Sequence, residues 1–265
     1  MMSKKFKIVG FAQLHNEHAN GNLHNWFRCM GMCDHIYIYD QASDDGSREI
    51  YKEYPNTHVI ESDINDFSHE IKCKGELLEK LLDEQPDTDF IFWMDGDTLL
   101  DNRLLINDYE NFDNLCQHMM DTSHDMTTLG HYNLWRSDTH YRVDNLYHWL
   151  HEHGVYGIWR NTGNLKFQEV DGLHQLQYPD GLSNHTRCGY SFIHRGFATD
   201  DQLIRRYDRY KGFGQEGWAL DRMLDETTLD THELLDGILP DWFVVTDDTD
   251  PKTKTPLSVV YGQGE

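Results

Sequence analysis

Strand-like and helix-like segments alternate through the first hundred residues of this 265-residue chain. Four runs have the apolar, β-branched and aromatic composition of strands: "KIVGFAQ" (7–13), "HIYIYD" (35–40), "THVIES" (57–62) and "DFIFWMD" (89–95). Between them lie segments with turn residues or a helical spacing of apolar residues, at 17–32, 44–54 and 69–84. This alternation predicts right-handed crossovers and an α/β fold with a mainly parallel central sheet flanked by helices.

The pattern beyond residue 101 is less regular. It predicts helices at 107–119, 200–213 and 217–227, and strands at 126–135 and 187–197. Residues 136–185 have little periodicity and are rich in His, Trp, Tyr, Gly and Asn, and we expect the acceptor side of a site there.

We therefore expect a single domain over residues 1–265. Its parts are a first half at 1–101, a second half at 102–240, and a C-terminal tail at 241–265 that is irregular and lies at the surface.

The charge of the chain restricts its partners. Lysine and arginine number 23 against 46 aspartates and glutamates, a formal net charge of −23, which argues against nucleic acid as a partner. An anionic nucleotide would need a cation to offset this field. No apolar run is long enough to predict a transmembrane segment. The five cysteines are odd in number and scattered, which predicts reduced thiols and a cytoplasmic location.

Polar clusters follow three of the predicted strands: "QLHNE" after the first, "DQASDDGS" after the second and "DGDT" after the fourth. The carboxyl ends of parallel strands share one edge of a sheet, where ligands bind. Asp95 and Asp97 would place two oxygen donors there for Mg²⁺ or Mn²⁺, with Gly96 leaving room for a ligand. A plain Asp-Gly turn is the alternative interpretation of these three residues.

Asp40 ends the second predicted strand at the same edge, where it could accept hydrogen bonds from a nucleobase or a ribose. Asp45 and Ser47 follow, and we favour helix capping over ligand binding for both.

These segments resemble the motifs of family 2-like glycosyltransferases. "IYIYDQASDDGS" resembles their "VVDDGSTDGT" segment, "QLHNE" their "N-E" segment, and "FIFWMDGDTLL" their strand with its D-x-D. Lys74-Gly75 resembles, more weakly, a "K-G-x-x-x-N" segment that precedes the D-x-D in that family. The similarity covers about residues 7–101. The chain departs from the family at Asp40-Gln41 and Ala42-Ser43, where the family has Asp-Asp and Gly-Ser.

The resemblance implies a GT-A fold, a nucleotide-sugar donor that is UDP-linked by preference, and Mn²⁺ or Mg²⁺ as cofactor. It implies that Asp40 contacts the base, that Asp95 binds the ribose or the metal, and that Asp97 binds the metal and the diphosphate. Gln13, Glu17 and Lys74 would belong to the nucleotide-sugar pocket. The acceptor, whether carbohydrate, lipid-linked or protein, stays open.

Two further assignments concern the second half of the chain. His194 resembles the late histidine that many GT-A enzymes supply to the metal, and a hydrogen-bonded histidine at a strand end is the alternative. If the reaction inverts the sugar, it needs a general base, and "FQEVDGLH" offers Asp171, which we prefer, and Glu169.

Two other functions remain open from the sequence. A nucleotidyltransferase would also use an α/β sheet and paired aspartates, but "AQLHNEHANG" lacks the glycine-rich, basic loop expected after its first strand. A catalytically inactive module that binds a nucleotide or a carbohydrate would show binding without turnover.

Overall fold

The computed structural model describes residues 5–66, 69–168, 170, 178–212, 214 and 230–257. Its strands are β1 (Ile8–Leu14), β2 (His35–Gln41), β3 (Thr57–Ser62), β4 (Phe90–Trp93), β5 (Thr98–Leu100), β6 (Met126–Asn133), β7 (His140–Arg142), β8 (Val155–Arg160), β9 (His185–His194) and β10 (Thr231–Glu233). Its helices are α1 (Leu23–Cys29), α2 (Ser47–Tyr51), α3 (Glu70–Glu84), α4 (Asn102–Leu105), α5 (Glu110–Asp121), α6 (Asn145–His153) and α7 (Asp200–Gly212).

The chain has the predicted α/β architecture, a central and mainly parallel sheet flanked by helices. Strands β3, β2, β1 and β4 are neighbours in that order, and all three of these pairings are parallel. The four predicted strands of the first hundred residues are therefore confirmed, each to within two residues of its ends. The predicted helix at 17–32 is shorter, because α1 starts only at Leu23 and residues 15–22 form a loop.

Strand β8 was not predicted, although it pairs directly with β4. The β4–β8 and β8–β6 pairings are antiparallel, so the parallel sheet continues into antiparallel strands. The predicted strand at 126–135 is β6 and the one at 187–197 is β9, shifted toward its amino end. The helix predicted at 217–227 lies outside the described residues.

The chain divides into two compact units. The first comprises Met1–Thr98, Arg103–Leu129 and Val155–Tyr190, and the second comprises Leu99–Asn102, Gly130–Gly154 and Ser191–Glu265. Strands β6 and β9 begin in the first unit and end in the second. The units are thus interleaved along the sequence, and the predicted single domain with its division at residue 101 stays a prediction.

In the first unit, helices cover both faces of the parallel strands. Leu77, Leu78 and Leu81 of α3 pack in one cluster with Ile91 and Trp93 of β4. Because side chains alternate along a strand, Phe92 points to the other face. It meets Phe112 of α5 there, with ring centroids 5.2 Å apart. β4 is buried on both faces, which explains its unbroken apolar sequence.

The second unit places arginines in its interior. Arg136, Arg142 and Arg195 are all buried, and each is paired with an aspartate: Asp200, Asp144 and Asp138. The guanidinium of Arg142 lies 4.3 Å from the ring centroid of Trp135 and 4.0 Å from that of Tyr147.

The C-terminal segment packs against the β6–β7 turn of the same unit. Thr246 donates to Asp138 Oδ2 from both its backbone N–H (3.0 Å) and its hydroxyl (2.7 Å), and Leu257 is fully buried beside Trp135. The segment is irregular and lies at the surface, as predicted: among residues 241–257 only Pro251 and Leu257 are buried, and Thr246 is exposed although it bonds the β6–β7 turn.

None of the helices within the described residues has the length and apolar character needed to cross a bilayer. All five cysteines are free thiols.

Candidate functional site

The carboxyl ends of β2, β1 and β4 lie side by side in the first unit. Leu14 pairs with Asp40, and Phe11 pairs with Trp93, so the loops that follow these strands leave the sheet at one edge. The sequence-based expectation that "QLHNE", "DQASDDGS" and "DGDT" converge there is confirmed.

Asp95, Gly96 and Asp97 form a tight turn between β4 and β5. The Asp95 carbonyl accepts a hydrogen bond from Thr98 N–H at 3.1 Å. The indole N–H of Trp26, in α1, donates to the Met94 carbonyl at 3.0 Å and fixes the start of the turn. Asp95 is exposed, whereas Asp97 is only 9% exposed. The interpretation as a turn and the interpretation as a ligand site are therefore compatible, since the hydrogen-bonded turn presents the Asp95 carboxylate to solvent.

Glu17 packs directly against this turn. A Cβ atom built on Gly96 would lie 2.6 Å from Glu17 Cγ and 2.7 Å from Leu14 Cδ2, so the position admits only glycine without movement. Glu17 itself is held by Asn22, whose Nδ2 donates to Glu17 Oε2 at 3.0 Å. The structure thus brings Glu17 and the Asp95–Asp97 turn together.

Asp40 is fully buried, and its carboxylate is engaged within the protein. Oδ1 accepts from Ser43 N–H at 3.0 Å and from Arg48 Nε at 2.8 Å, while Oδ2 accepts from the Tyr51 hydroxyl at 2.9 Å. Burial, together with the Asp40 charge, raises the pKa of Tyr51, so its hydroxyl stays protonated and donates. The predicted contact of Asp40 with a nucleobase stays a prediction; the observed role of this carboxylate is to support the loop after β2.

Sequence reasoning missed the partners of Asp40. Arg48 and Tyr51 are three residues apart on α2 and therefore share a face of that helix. The hydrogen bond to Asp40 raises the pKa of Arg48, which stays charged. A signal existed in the sequence, because a buried strand-end aspartate needs donors and the next helix offers both within eleven residues.

Gln13 and Lys74 are both buried near the same edge. Gln13 is 8% exposed, and its Nε2 has no hydrogen-bond partner among the described residues. Lys74 is 1% exposed; it forms an ion pair with Glu70 and lies 4.1 Å from the ring centroid of Trp93. The indole N–H of Trp93 likewise has no partner in the described part of the chain. A lysine paired in this way is already neutralised, whereas the Gln13 amide offers an unused donor.

The predicted metal ligands do not form a three-ligand cluster. Across the described ranges, no group of three or more His, Cys, Asp or Glu side chains is arranged to hold a metal ion. His194 belongs to the second unit, where it is buried and its ring lies 5.2 Å from that of His131. Asp95 and Asp97 belong to the first. Metal binding by these three residues stays a prediction.

The two candidate general bases, Glu169 and Asp171, lie outside the described residues.

Comparisons with known proteins leave the family open. No protein-family model matches the chain, and no curated protein matches it. Among solved structures, a mycobacterial protein is similar over 54% of this chain and 44% of its own length, with a TM-score of 0.33 and 11% identity.

Two structures titled 4-diphosphocytidyl-2C-methyl-D-erythritol synthase are similar over more of the chain. One has a TM-score of 0.34 at 12% identity and covers 81% of this chain and 87% of its own. The other, from Anaerococcus prevotii, has a TM-score of 0.27 at 8% identity and covers 83% and 82%. Likeness at this level does not carry an activity from those proteins to this one.

Proposed function

We propose that this protein is a metal-dependent glycosyltransferase that moves a sugar from a nucleotide-sugar, UDP-linked by preference, to an acceptor hydroxyl. The observation that carries the proposal is the packing of Glu17 on Gly96, which joins the loop after β1 to the Asp95–Asp97 turn at the edge where ligands bind in parallel sheets. The motif resemblance in residues 7–101 supplies the reaction class.

The donor groups at this edge suit a hard cation that is shared with a substrate. Mg²⁺ is usually bound by one or two carboxylates together with substrate phosphates, so a site of this kind does not need three protein ligands. In the proposed role, Asp95 and Asp97 supply carboxylate oxygens to Mg²⁺ or Mn²⁺, which neutralises the diphosphate of the donor. The cation also offsets the field of a chain whose net charge is −23.

The remaining residues take supporting roles in the proposal. The free Nε2 of Gln13 would donate to the nucleotide, and Lys74 and Asp40 would shape its pocket. Asp171 or Glu169 would take the acceptor proton in an inverting reaction. The acceptor, whether a carbohydrate, a lipid-linked molecule or a protein, is not assigned.

The test is a thermal-shift panel of nucleotide-sugars with and without Mn²⁺, using wild type, Asp97→Asn and Asp87→Asn. Asp87 is exposed and precedes β4, so its substitution is a matched loss of charge at the opposite edge. One nucleotide-sugar should stabilise wild type and Asp87→Asn in a metal-dependent manner, by about 2.7 kcal/mol at a hundredfold excess over Kd. Asp97→Asn should lose this shift. A panel without any shift, or a shift that Asp97→Asn retains, would refute the proposal.

Product analysis separates the alternatives. Glycosyl transfer releases a nucleoside diphosphate from the nucleotide-sugar, whereas nucleotidyl transfer releases pyrophosphate from a nucleoside triphosphate. CTP is included because two of the compared structures are named as synthases of a diphosphocytidyl compound. An inactive binding module would bind a nucleotide without either product.

A further inference from the structure

The loop after β1, residues 15–22 and here called the Glu17 loop, is tied to residues 43–47 by side-chain hydrogen bonds. Three of its backbone amides donate to this 43–47 segment: Asn16 N–H to Ser43 Oγ at 3.0 Å, His18 N–H to Ser47 Oγ at 3.1 Å, and Ala19 N–H to Asp45 Oδ2 at 2.7 Å. These side-chain oxygens satisfy loop amides that would otherwise have to bond to water.

The Asn16 side chain adds a reciprocal pair to these contacts. Its Nδ2 donates to Asp44 Oδ1 at 2.9 Å, and its Oδ1 accepts from Asp44 N–H at 3.0 Å. Asn16 has φ 56°, a left-handed conformation that asparagine tolerates, whereas Ala42, just before the 43–47 segment, has φ 55°, which is unusual for alanine. The reciprocal pair between Asn16 and Asp44 therefore adds two hydrogen bonds to the three that join the segments.

The 43–47 segment is itself anchored. Asp40 accepts from Ser43 N–H at its start, and Asp45 Oδ1 accepts from Ser47 N–H at the entry to α2. Partial burial raises the pKa of the Asp45 carboxyl, but hydrogen bonds from Ala19 and Ser47 outweigh it and lower that pKa overall. Asp45 is thus a charged acceptor at neutral pH, and its hydrogen bonds are of the stronger kind.

The Glu17 loop in turn contacts the aspartate turn. The Glu17 side chain occupies the volume that a Cβ on Gly96 would need, so it packs directly on the backbone of the turn. A continuous set of contacts therefore runs from Asp40 through the 43–47 segment and the Glu17 loop to Gly96.

The geometry points to Asn16, Asp44, Asp45 and Ser47 as positioning residues for the Asp95–Asp97 turn. They act through Glu17 and need not touch the substrate, which gives the "DQASDDGS" segment a role other than nucleotide contact. The effect on metal and donor binding rests on the proposed function, whereas the mechanical coupling does not.

Hydrogen exchange measured at single amides tests the coupling without any ligand. Asp45→Ala should speed exchange at residues 16–19 by about tenfold or more, because each lost hydrogen bond to a charged group favours local opening. The decisive expectation is faster exchange at residues 96–98 as well. Leu115→Ala in α5 is the control for general destabilisation and should leave both segments at wild-type rates.

A conservative pair sharpens this test. Asp44→Asn keeps an oxygen that can accept from Asn16 Nδ2, whereas Asp44→Ala does not. Exchange at residues 96–98 should be close to wild type in the first variant and faster in the second. If residues 16–19 are released while 96–98 keep their wild-type rates, the coupling is refuted.

The functional consequence has its own measurement. In Asp45→Ala, the Mn²⁺ concentration for half-maximal activity should rise several-fold, while kcat at saturating Mn²⁺ changes less. A fall in kcat with an unchanged Mn²⁺ requirement would overturn the positioning role. If wild type binds no nucleotide-sugar, the proposed function fails, and the exchange experiment still decides the coupling.

Discussion

In the first unit, leucines of α3 pack on a sheet face formed by Phe11, Ile91 and Trp93. In the second, Arg136, Arg142 and Arg195 are buried against carboxylates and aromatic rings. An apolar cluster tolerates some repacking, whereas a buried charge pair is destabilising as soon as one partner is lost. The two interiors should therefore respond to substitution in different ways.

The largest expected effect is in the second unit. Arg142→Ala leaves Asp144 buried without its two hydrogen bonds of 2.9 and 2.8 Å and removes the cation between Trp135 and Tyr147. We expect a loss of about 3–5 kcal/mol in the free energy of unfolding. Urea denaturation measures it. Lys72→Ala, at an exposed ion pair, should lose no more than about 1 kcal/mol. A similar small loss for Arg142→Ala would show that the charges do not support this interior.

The matching experiment in the first unit is Leu77→Ala. Leu77 is fully buried in the α3 cluster, and its truncation should cost about 2–5 kcal/mol through lost burial and a cavity. Because no charge is involved, the loss in the free energy of unfolding should be the same at low and at high salt. Urea denaturation at both salt concentrations measures it. Glu79→Ala, on the exposed side of α3, is the control and should be near neutral. Strong salt dependence for Leu77→Ala would contradict the comparison.

Gly96→Ala tests close packing at the edge of the first unit. The new methyl would meet Glu17 and Leu14, so we expect a loss of about 1–3 kcal/mol. Gly189→Ala is the control, because a Cβ there meets no atom within 4 Å, and its effect should stay within about 0.5 kcal/mol. Thermal and urea unfolding of both variants measure the difference. Equal stability of the two would mean that the Glu17 contact is not tight.

The smallest expected effect is a pH dependence at the opposite edge of the first unit. His58 Nε2 lies 3.1 Å from His35 Nδ1, its ring stacks on Tyr37, and its Nδ1 lies 3.4 Å from Glu84. Burial, followed by the charge of His35, lowers the pKa of His58 from its ordinary value of 6.5, although Glu84 opposes this.

With a lowered pKa, the unfolded chain binds the proton more readily than the folded one. The His58 contribution is therefore present above pH 6.5 and is lost as the pH falls through the lowered value. The slope of unfolding free energy between pH 7.5 and 5.5 should be shallower in His58→Gln than in wild type. His148→Gln, on α6, is the histidine control. An unchanged slope in His58→Gln would contradict the assignment.

The same contrast explains what the sequence could predict. Strands β1 to β4 and helix α3 pack in an apolar core, so their apolar residues recur with the spacing of a strand or a helix. The order of these elements along the chain predicts which loops share an edge of the sheet. β8 was missed because its residues lie in a stretch whose patterning is dominated by His, Tyr and Gly. β7 was missed for a related reason, since the buried Arg142 stands where a pattern search expects an apolar residue.

At the candidate site, the sequence predicted the edge and the aspartate turn but not the contacts that hold them. Glu17 and Gly96 are 79 positions apart, and no sequence pattern predicts that the Glu17 side chain fills the space beside Gly96. The burial of Asp40 against Arg48 and Tyr51 could have been anticipated from charge compensation. The roles of Asp95, Asp97 and His194 toward a metal remain predictions, because they depend on groups that the chain alone does not supply.

The interleaving of the two units has a consequence for the nascent chain. β4 gains its β1 neighbour as soon as it is made, but its other neighbour, β8, ends at Arg160, 67 residues after Trp93. At about 5–20 residues per second, a ribosome needs roughly 3–13 s to supply it. Throughout that interval, the apolar strand that carries the aspartate turn has an open edge, which can pair with another chain.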